Sequence, residues 1–485
     1  MTRQYRSGIV GRVTPWLLRW SVLFSVLVGI ACRLSQYAAN TSIWHDEAAV
    51  AINVVRKSVS DLLGPLVWET ASPPGFLVLE RLVVLGLGTS EYILRLIPQL
   101  AGLAGLIGFV YLARRMCGTE LSWLWAVSLM AASAKLIVQA NEVKHFTLDL
   151  FWTVLVLGLA TRLSDRSRTQ LLLLSWGLVG ALGLWFSYAS LFVFSATSVV
   201  LGIRSIRFWD SCDRAAYICA NVLALCSLAL LMGSIEAQRG DALMTFWAGW
   251  FPDLSGPLAL FFWLARSLLG LFNYFWQPLG AALLALAFVG SVRLWHNHRS
   301  SDVCFLLLPL LIALVAAFFH RWPFGGNQHM VFAAPAVFLL AAEGVETVRQ
   351  RLMQRRQWLG WAFVAVLLLP NVSDSAYRIF SPRQRHEVRP VIEHVQRSRK
   401  PGDKIIVFDP ATVEFYTDKN FRNPSLEPSR STRVWVIATR SGYKEFPSQV
   451  EDLLQSLRSR RQRLSSLEEF GAAAYLFSPE QDSIE

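Results

Sequence analysis

Two adjacent carboxylates, Asp46 and Glu47, stand in the segment Ile43-Trp44-His45-Asp46-Glu47, within about ten residues of the end of the first long apolar run. Only 16% of the chain is charged, against roughly 25% in ordinary soluble domains, so such a pair stands out. A carboxylate in a loop can take the proton of an attacking hydroxyl, which is general-base chemistry. A helix beginning near Ala48 also accounts for the pair, because its macrodipole favours negative charge in the first turn. Two more polar groups interrupt apolar sequence. Asn141-Glu142-Val143-Lys144-His145-Phe146 brings a third carboxylate and two basic side chains, and the segment from His320 to His329 brings Arg321 and two more histidines. Taken singly, Lys144 or His329 reads as a contact to lipid headgroups. Three such segments on one face read as a site.

The elements that must position these groups are membrane spans. Of 485 residues, 54% are hydrophobic, and the mean hydropathy is +0.40. Crossing about 30 Å of hydrocarbon takes roughly 20 apolar residues. Eleven spans are predicted near 15–37, 93–113, 120–139, 145–162, 170–186, 187–203, 214–233, 277–294, 302–319, 329–347 and 357–371. The first follows Arg3, Arg6 and Arg12 and reads as a signal anchor, since it lacks a small-residue cleavage site. Basic clusters then share one side: Arg114-Arg115, Arg162/Arg166/Arg168, Arg204/Arg207/Arg214, Arg293/Arg299 and Arg349/Arg351/Arg355/Arg356. By the positive-inside rule that side is the cytoplasm.

Two apolar stretches, 74–88 and 258–273, are short for a span and are predicted to lie in the outer interface, the second with Arg266 at its centre. Arg81 and Arg95 are expected to snorkel or to pair with Glu80 and Glu91. The aromatic run at 246–251 reads as an interfacial belt, with sugar stacking as its alternative use. The net charge of +12 is spent on orientation, which excludes nucleic acid as a partner. The six cysteines have no zinc-ligand spacing and imply no disulfide; Cys219 and Cys226 read as packing residues.

An odd number of spans puts the C-terminus outside. The chain divides into a transmembrane module, 1–372, with its first outer loop at 38–92, and a soluble α/β domain, 373–485. In that domain the pattern predicts helices at 388–399, 411–417 and 448–466, and strands at 404–409, 434–439 and 473–477. Alternation of the two favours a short parallel sheet. It contains no glycine-rich phosphate loop.

On these residues the sequence resembles the GT-C membrane glycosyltransferases, in particular the branch with the aminoarabinose transferases and the protein O-mannosyltransferases of glycosyltransferase family 39. The resemblance rests on Asp46-Glu47 after the first span, Ser72-Pro73-Pro74-Gly75-Phe76, Gly88-Thr89-Ser90-Glu91 with Arg95, and 141–146. It continues through Phe324-Gly325-Gly326 with His329 and Pro335, then Arg389-Pro390-Val391 and Pro401-Gly402-Asp403. It implies a polytopic helical fold with a small extracytoplasmic α/β domain. It further implies that Asp46 is the catalytic carboxylate and Glu142 the second acidic position. Lys144 stands where a basic residue is common; Gln328 stands where relatives often carry Arg, with Arg321 as the substitute.

The chemistry agrees with that resemblance. A lipid-linked sugar phosphate stays in the bilayer, so its enzyme must place acid–base groups at headgroup level. Asp46 is the candidate base, with Glu47 and Glu142 as orienting carboxylates or, with Asp46, ligands of a divalent cation. Phosphate leaves as a stable anion, so no general acid is required, unlike glycosidase chemistry. Lys144, His145, Arg321 and His329 are the candidates to stabilise its charge. The expected activity is inverting transfer of one sugar from a polyprenyl-phosphate donor to a hydroxyl of a lipid, glycan or protein, on the outer face of a bacterial inner membrane. A transporter or flippase is the rival, but transporters bury ionisable groups within spans and often show repeated halves, whereas the predicted spans here hold few such groups and no convincing repeat is seen.

Overall fold

The computed structural model of the chain describes residues 15–164, 169–417, 431–439 and 447–480. Arg3, Arg6, Arg12, Arg166 and Arg168 lie outside the described residues. Helix α1 (Pro15–Ala38) is followed by α2 (His45–Arg56), α3 (Pro74–Leu87) and α4 (Glu91–Leu94), which fill the first long loop. Next come α5 (Leu96–Met116), α6 (Glu120–Ala131), α7 (Ala134–Gln139), α8 (Phe146–Leu163), α9 (Gln170–Phe186), α10 (Ser190–Phe208) and α11 (Ser211–Ala237). The bundle is completed by α12 (Asp241–Phe246), α13 (Pro257–Phe275), α14 (Gly280–His296), α15 (Ser300–Phe318), α16 (Ala334–Arg355) and α17 (Gln357–Phe380).

Nine of the described helical segments are long and apolar enough to cross a membrane, while α9 and α14 are apolar but shorter. Two differ from the sequence expectation. The predicted span 120–139 is broken into α6 and α7 at Ala132 and Ser133, where the Ser133 hydroxyl donates to the Phe275 carbonyl at 3.1 Å. The stretch 258–273, expected to be too short, lies in a helix of 19 residues that meets the length and composition of a span. Its polar and backbone contacts nevertheless follow the loops around the site: Arg266 donates to the Gly249 carbonyl at 2.8 Å, and Gly270 meets Gly326 backbone to backbone.

The most buried helix is α16, whose apolar residues are covered on all sides. It crosses α14 at glycine: a Cβ on Gly290 would stand 1.9 Å from the Leu340 carbonyl oxygen. Small residues that let helix backbones touch are a recurring device inside membranes. Cys219 and Cys226 point away from this packing and are exposed on α11.

The C-terminal region holds α18 (Val388–Ser398), β1 (Lys404–Val407), α19 (Pro410–Thr417), β2 (Val434–Thr439), α20 (Ser448–Arg460), β3 (Arg463–Glu469) and β4 (Ala472–Phe477). The sheet runs β1-β2-β4-β3. Only the β1–β2 pair is parallel; β2–β4 and β3–β4 are antiparallel, which corrects the all-parallel expectation. The cause is at Arg461. Its guanidinium donates to the carbonyls of Thr432 and Ser478, ending α20 and turning the chain into a strand where the helix was expected to continue. Strand β3 lies at the sheet edge and is largely exposed, so it carries no alternating apolar signal. Gly471, at φ +69°, makes the turn into β4.

Candidate active site

The helix α2 begins at His45, with Trp44 at its N-cap, so Asp46 and Glu47 both fall in its first turn. Their surroundings separate them. Glu47 is 1% exposed, and both of its oxygens are taken: Arg95 Nε donates to Oε1 at 2.8 Å and Nη2 to Oε2 at 2.7 Å. The Val143 backbone N–H also donates to Oε1, at 2.9 Å, and the Trp44 N–H reaches Oε2 at 3.4 Å. Glu47 therefore ties α2 both to the start of α5 and to the 141–146 loop. Asp46, one residue earlier, is half-buried and lines a cavity of about 670 Å³; its carboxylate takes no hydrogen bond or ion pair from another described residue.

Opposite stands Glu142, almost fully buried and paired with Arg385 at 2.6 Å. Burial pushes the Glu142 carboxyl above its usual range, and the Arg385 guanidinium partly offsets that. Arg385 also lies over the Trp44 ring, 3.9 Å from its centroid. With Lys135 and Arg383 it gives the cavity a cationic wall. Phe246, Trp247, Trp250 and Tyr274 supply the aromatic part of the lining, so the 246–251 run faces the site and is more than a belt.

The remaining expected residues divide between two places. Lys144 interacts electrostatically with His45 and His329, and Asp46 acts on the same two histidines, which places all four together. His329 packs edge-on against Trp247, Trp322 and Phe146. His145 is buried, with Nε2 4.0 Å from Asp149. It faces, with His329 and Arg321, a smaller cavity of about 160 Å³ on the far side of Trp247. Arg321 is exposed and paired with Glu236 at 2.9 Å, and it does not line the Asp46 cavity.

Expected ion pairs in the first loop are redrawn. Arg95 pairs with Glu47, and Glu91 is held by Arg389 at 2.7 Å. Arg81 donates to the carbonyls of Val54 and Val55, closing the last turn of α2, while Glu80 is buried with no hydrogen-bond partner among the described residues. Sequence reasoning missed Lys135, Arg383 and Arg385. Lys135 sits at the α6–α7 break inside an apolar run, which was a legible signal; the two arginines lie in an unremarkable polar linker.

No protein-family model matches the sequence, and no curated protein sequence matches it either. Solved structures do match. The chain superposes on the oligosaccharyltransferase of Archaeoglobus fulgidus in its apo form with a TM-score of 0.55 and 12% identity, covering 97% of this chain and 75% of that one. ArnT from Cupriavidus metallidurans bound to undecaprenyl phosphate matches with a TM-score of 0.54 and 14% identity, over 94% of this chain and 98% of that one. The Archaeoglobus enzyme AglB in complex with an inhibitory peptide and a dolichol-phosphate gives 0.51 and 13%, over 97% and 75%. This chain therefore shares the fold of these oligosaccharyltransferase and ArnT structures, the fold that its sequence resemblance implied. The fold is a helical bundle of apolar helices carrying a small C-terminal α/β unit.

Proposed function

We propose that the chain is an inverting glycosyltransferase that moves one sugar from a polyprenyl-phosphate donor to a hydroxyl acceptor. The observation that carries this reading is the unpartnered Asp46 carboxylate facing a cavity with a cationic and an aromatic wall. Fold likeness adds support, since ArnT and AglB have been solved with undecaprenyl phosphate and dolichol-phosphate respectively.

In the proposed reaction Asp46 takes the proton of the acceptor hydroxyl as its oxygen attacks the anomeric carbon. The bond from that carbon to the phosphate oxygen breaks, and the lipid phosphate leaves with the electron pair. One displacement inverts the centre. Charge growing on the phosphate is met by cations already held at the cavity wall, where preorganised charge acts strongly. Lys144 stands on the Asp46 side, and Lys135, Arg383 and Arg385 supply the opposite wall; His329, buried among aromatic rings, is a neutral imidazole that can give a ring N–H to the phosphate. Phe246, Trp247 and Trp250 give the sugar rings to pack on. Glu47 acts by position, through Arg95, and Glu142 by its pairing with Arg385. A resident divalent cation does not fit this donor set. Glu142 is already engaged by Arg385, and among the described residues no three His, Cys, Asp or Glu side chains gather as ligands.

We place the site and the 373–485 domain on the outer face of a bacterial inner membrane, because the arginine clusters lie at the opposite end of the bundle. The bilayer then presents the donor, and a lipid, glycan or protein hydroxyl arrives from outside. The decisive test is transfer from undecaprenyl-phosphate-linked sugars by purified protein in nanodiscs. A folded Asp46→Asn variant that retains full transfer would remove Asp46 from the role of base. Reporter fusions at Ser300 and at the C-terminus should report opposite sides of the membrane.

A further inference from the structure

Residues 40–44 form an irregular segment, with no helix or strand to hold it until α2 begins at His45, next to Asp46. Its partners are concentrated in the C-terminal region. Arg389 donates to the Asn40 carbonyl at 3.1 Å through Nη2, and its backbone N–H donates to Ser42 Oγ at the same distance. Ser42 Oγ donates to Glu387 at 2.9 Å, and the Ile43 N–H donates to the Tyr416 hydroxyl at 2.8 Å. Arg385 covers Trp44. His45 Nδ1 lies 2.9 Å from Asp409 Oδ1. From within the bundle, Arg95 holds the Thr41 carbonyl at 2.7 Å and reaches the Ser42 carbonyl at 3.4 Å, and the Trp44 N–H reaches Glu47 at 3.4 Å.

The anchoring groups are themselves fixed. Asp409 follows β1 and accepts from the backbone N–H and the hydroxyl of Thr412 in the first turn of α19, so its carboxylate is oriented before it meets His45. Tyr416 donates to Glu91, which also takes Arg389. Ala411, Phe415 and Tyr416 of α19 share one apolar core with Ile43, Ala48 and Val54. One further bond, Arg56 to Glu414, lies at the other end of α2.

We infer that the C-terminal domain is the positioning device of the Asp46 site. Asp409 and Tyr416 act as positioning residues, holding His45 and the Ile43 amide so that Asp46 faces the cavity. Its catalytic consequence rests on the glycosyltransferase reading; its geometric content does not.

Full-length protein in nanodiscs provides both tests. Asp409→Ala and Tyr416→Phe should each raise amide exchange at 40–46 by about tenfold while α5 and α16 keep their protection. Undecaprenyl phosphate should still bind within about twofold, and transfer should lose roughly 10- to 100-fold in kcat with little change in donor KM. His45→Ala combined with Asp409→Ala should be no worse than either alone, because both remove one bond. Tyr416→Phe keeps the ring in its core, so it reports even if the alanine variant fails to fold. Unchanged exchange at 40–46 overturns the inference, as does raised exchange with unchanged kcat. Wild-type protein that transfers no sugar while the exchange result holds would instead overturn the glycosyltransferase reading.

Discussion

Arg95 grips Glu47 with two parallel hydrogen bonds of 2.8 and 2.7 Å, and both side chains are almost wholly buried. The pair joins α2 to the head of α5, and the Val143 amide on the same carboxylate extends the tie to the loop that carries Glu142. Removing one partner leaves the other as a buried, uncompensated charge. Arg95→Ala should therefore destabilise the protein by about 3–5 kcal/mol, read as a lowered midpoint in detergent unfolding, whereas Arg95→Ala with Glu47→Leu should recover part of it. Equal loss in the single and double variants would contradict this.

Asp46→Asn should lower transfer by about 10²–10⁴-fold, the range supplied by a positioned general base. Folding and undecaprenyl phosphate binding should be unaffected, since the Asp46 carboxylate holds no other described residue.

Glu142 leads to a pH prediction. Burial raises its pKa and Arg385 opposes the rise. A carboxyl raised in this way begins to protonate at higher pH than an exposed one, and its ionised form is lost as pH falls through the folded value. Arg385→Ala removes the opposing charge. The acid limb of the transfer–pH profile should move to higher pH in that variant, and an unmoved limb would disconnect Glu142 from activity.

His45 has the opposite sign. Its hydrogen bond to Asp409 raises its pKa above the ordinary value of about 6.5, with burial and Lys144 opposing and Asp46 assisting. The contribution of this pair is fully present below the unfolded pKa and is lost as pH rises through the folded one. Protection factors at 40–46, corrected for the intrinsic base-catalysed rate, should fall on going from mildly acidic to mildly alkaline buffer, and Asp409→Asn should flatten that dependence.

Gly344 faces Gly290 across the α14–α16 crossing, and a Cβ on it would stand 1.9 Å from the Leu286 carbonyl oxygen. Gly344→Val should force the helices apart and reduce the yield of folded protein, while Gly233→Ala, where a Cβ meets open space, should not.

The membrane helices and the Asp46 neighbourhood were legible in the sequence because both rest on local signals. Apolar runs of the right length announce spans, and charged residues inside so apolar a chain announce either a site or an anchor. Which of the two a given residue is depends on its partner, and partners are set by tertiary approach. Glu47 and Asp46 are adjacent in sequence, yet Arg95 and the Val143 amide reach only one of them. Glu91 looked like the partner of Arg95 because it is four residues away, yet Arg389 from the C-terminal region takes it. Strand β3 was missed for the reason edge strands often are: polar on both faces, it has no periodicity to read. Arg383 and Arg385 gave no local sign, since their importance lies in where the linker after α17 is led.

That linker is pinned by the β3–β4 turn, for the Glu387 amide donates to the Phe470 carbonyl at 2.7 Å, and a Cβ on Gly471 would collide with the Arg385 carbonyl. The segment before Asp46 thus waits for partners 345 to 373 residues further along the chain. At about 5–20 residues per second, synthesis separates the two by roughly 20 to 70 s. During that interval the spans can enter the bilayer and meet lipid while the Asp46 loop still lacks its clamp. The order of synthesis itself delays completion of the site until the β3–β4 turn has been made.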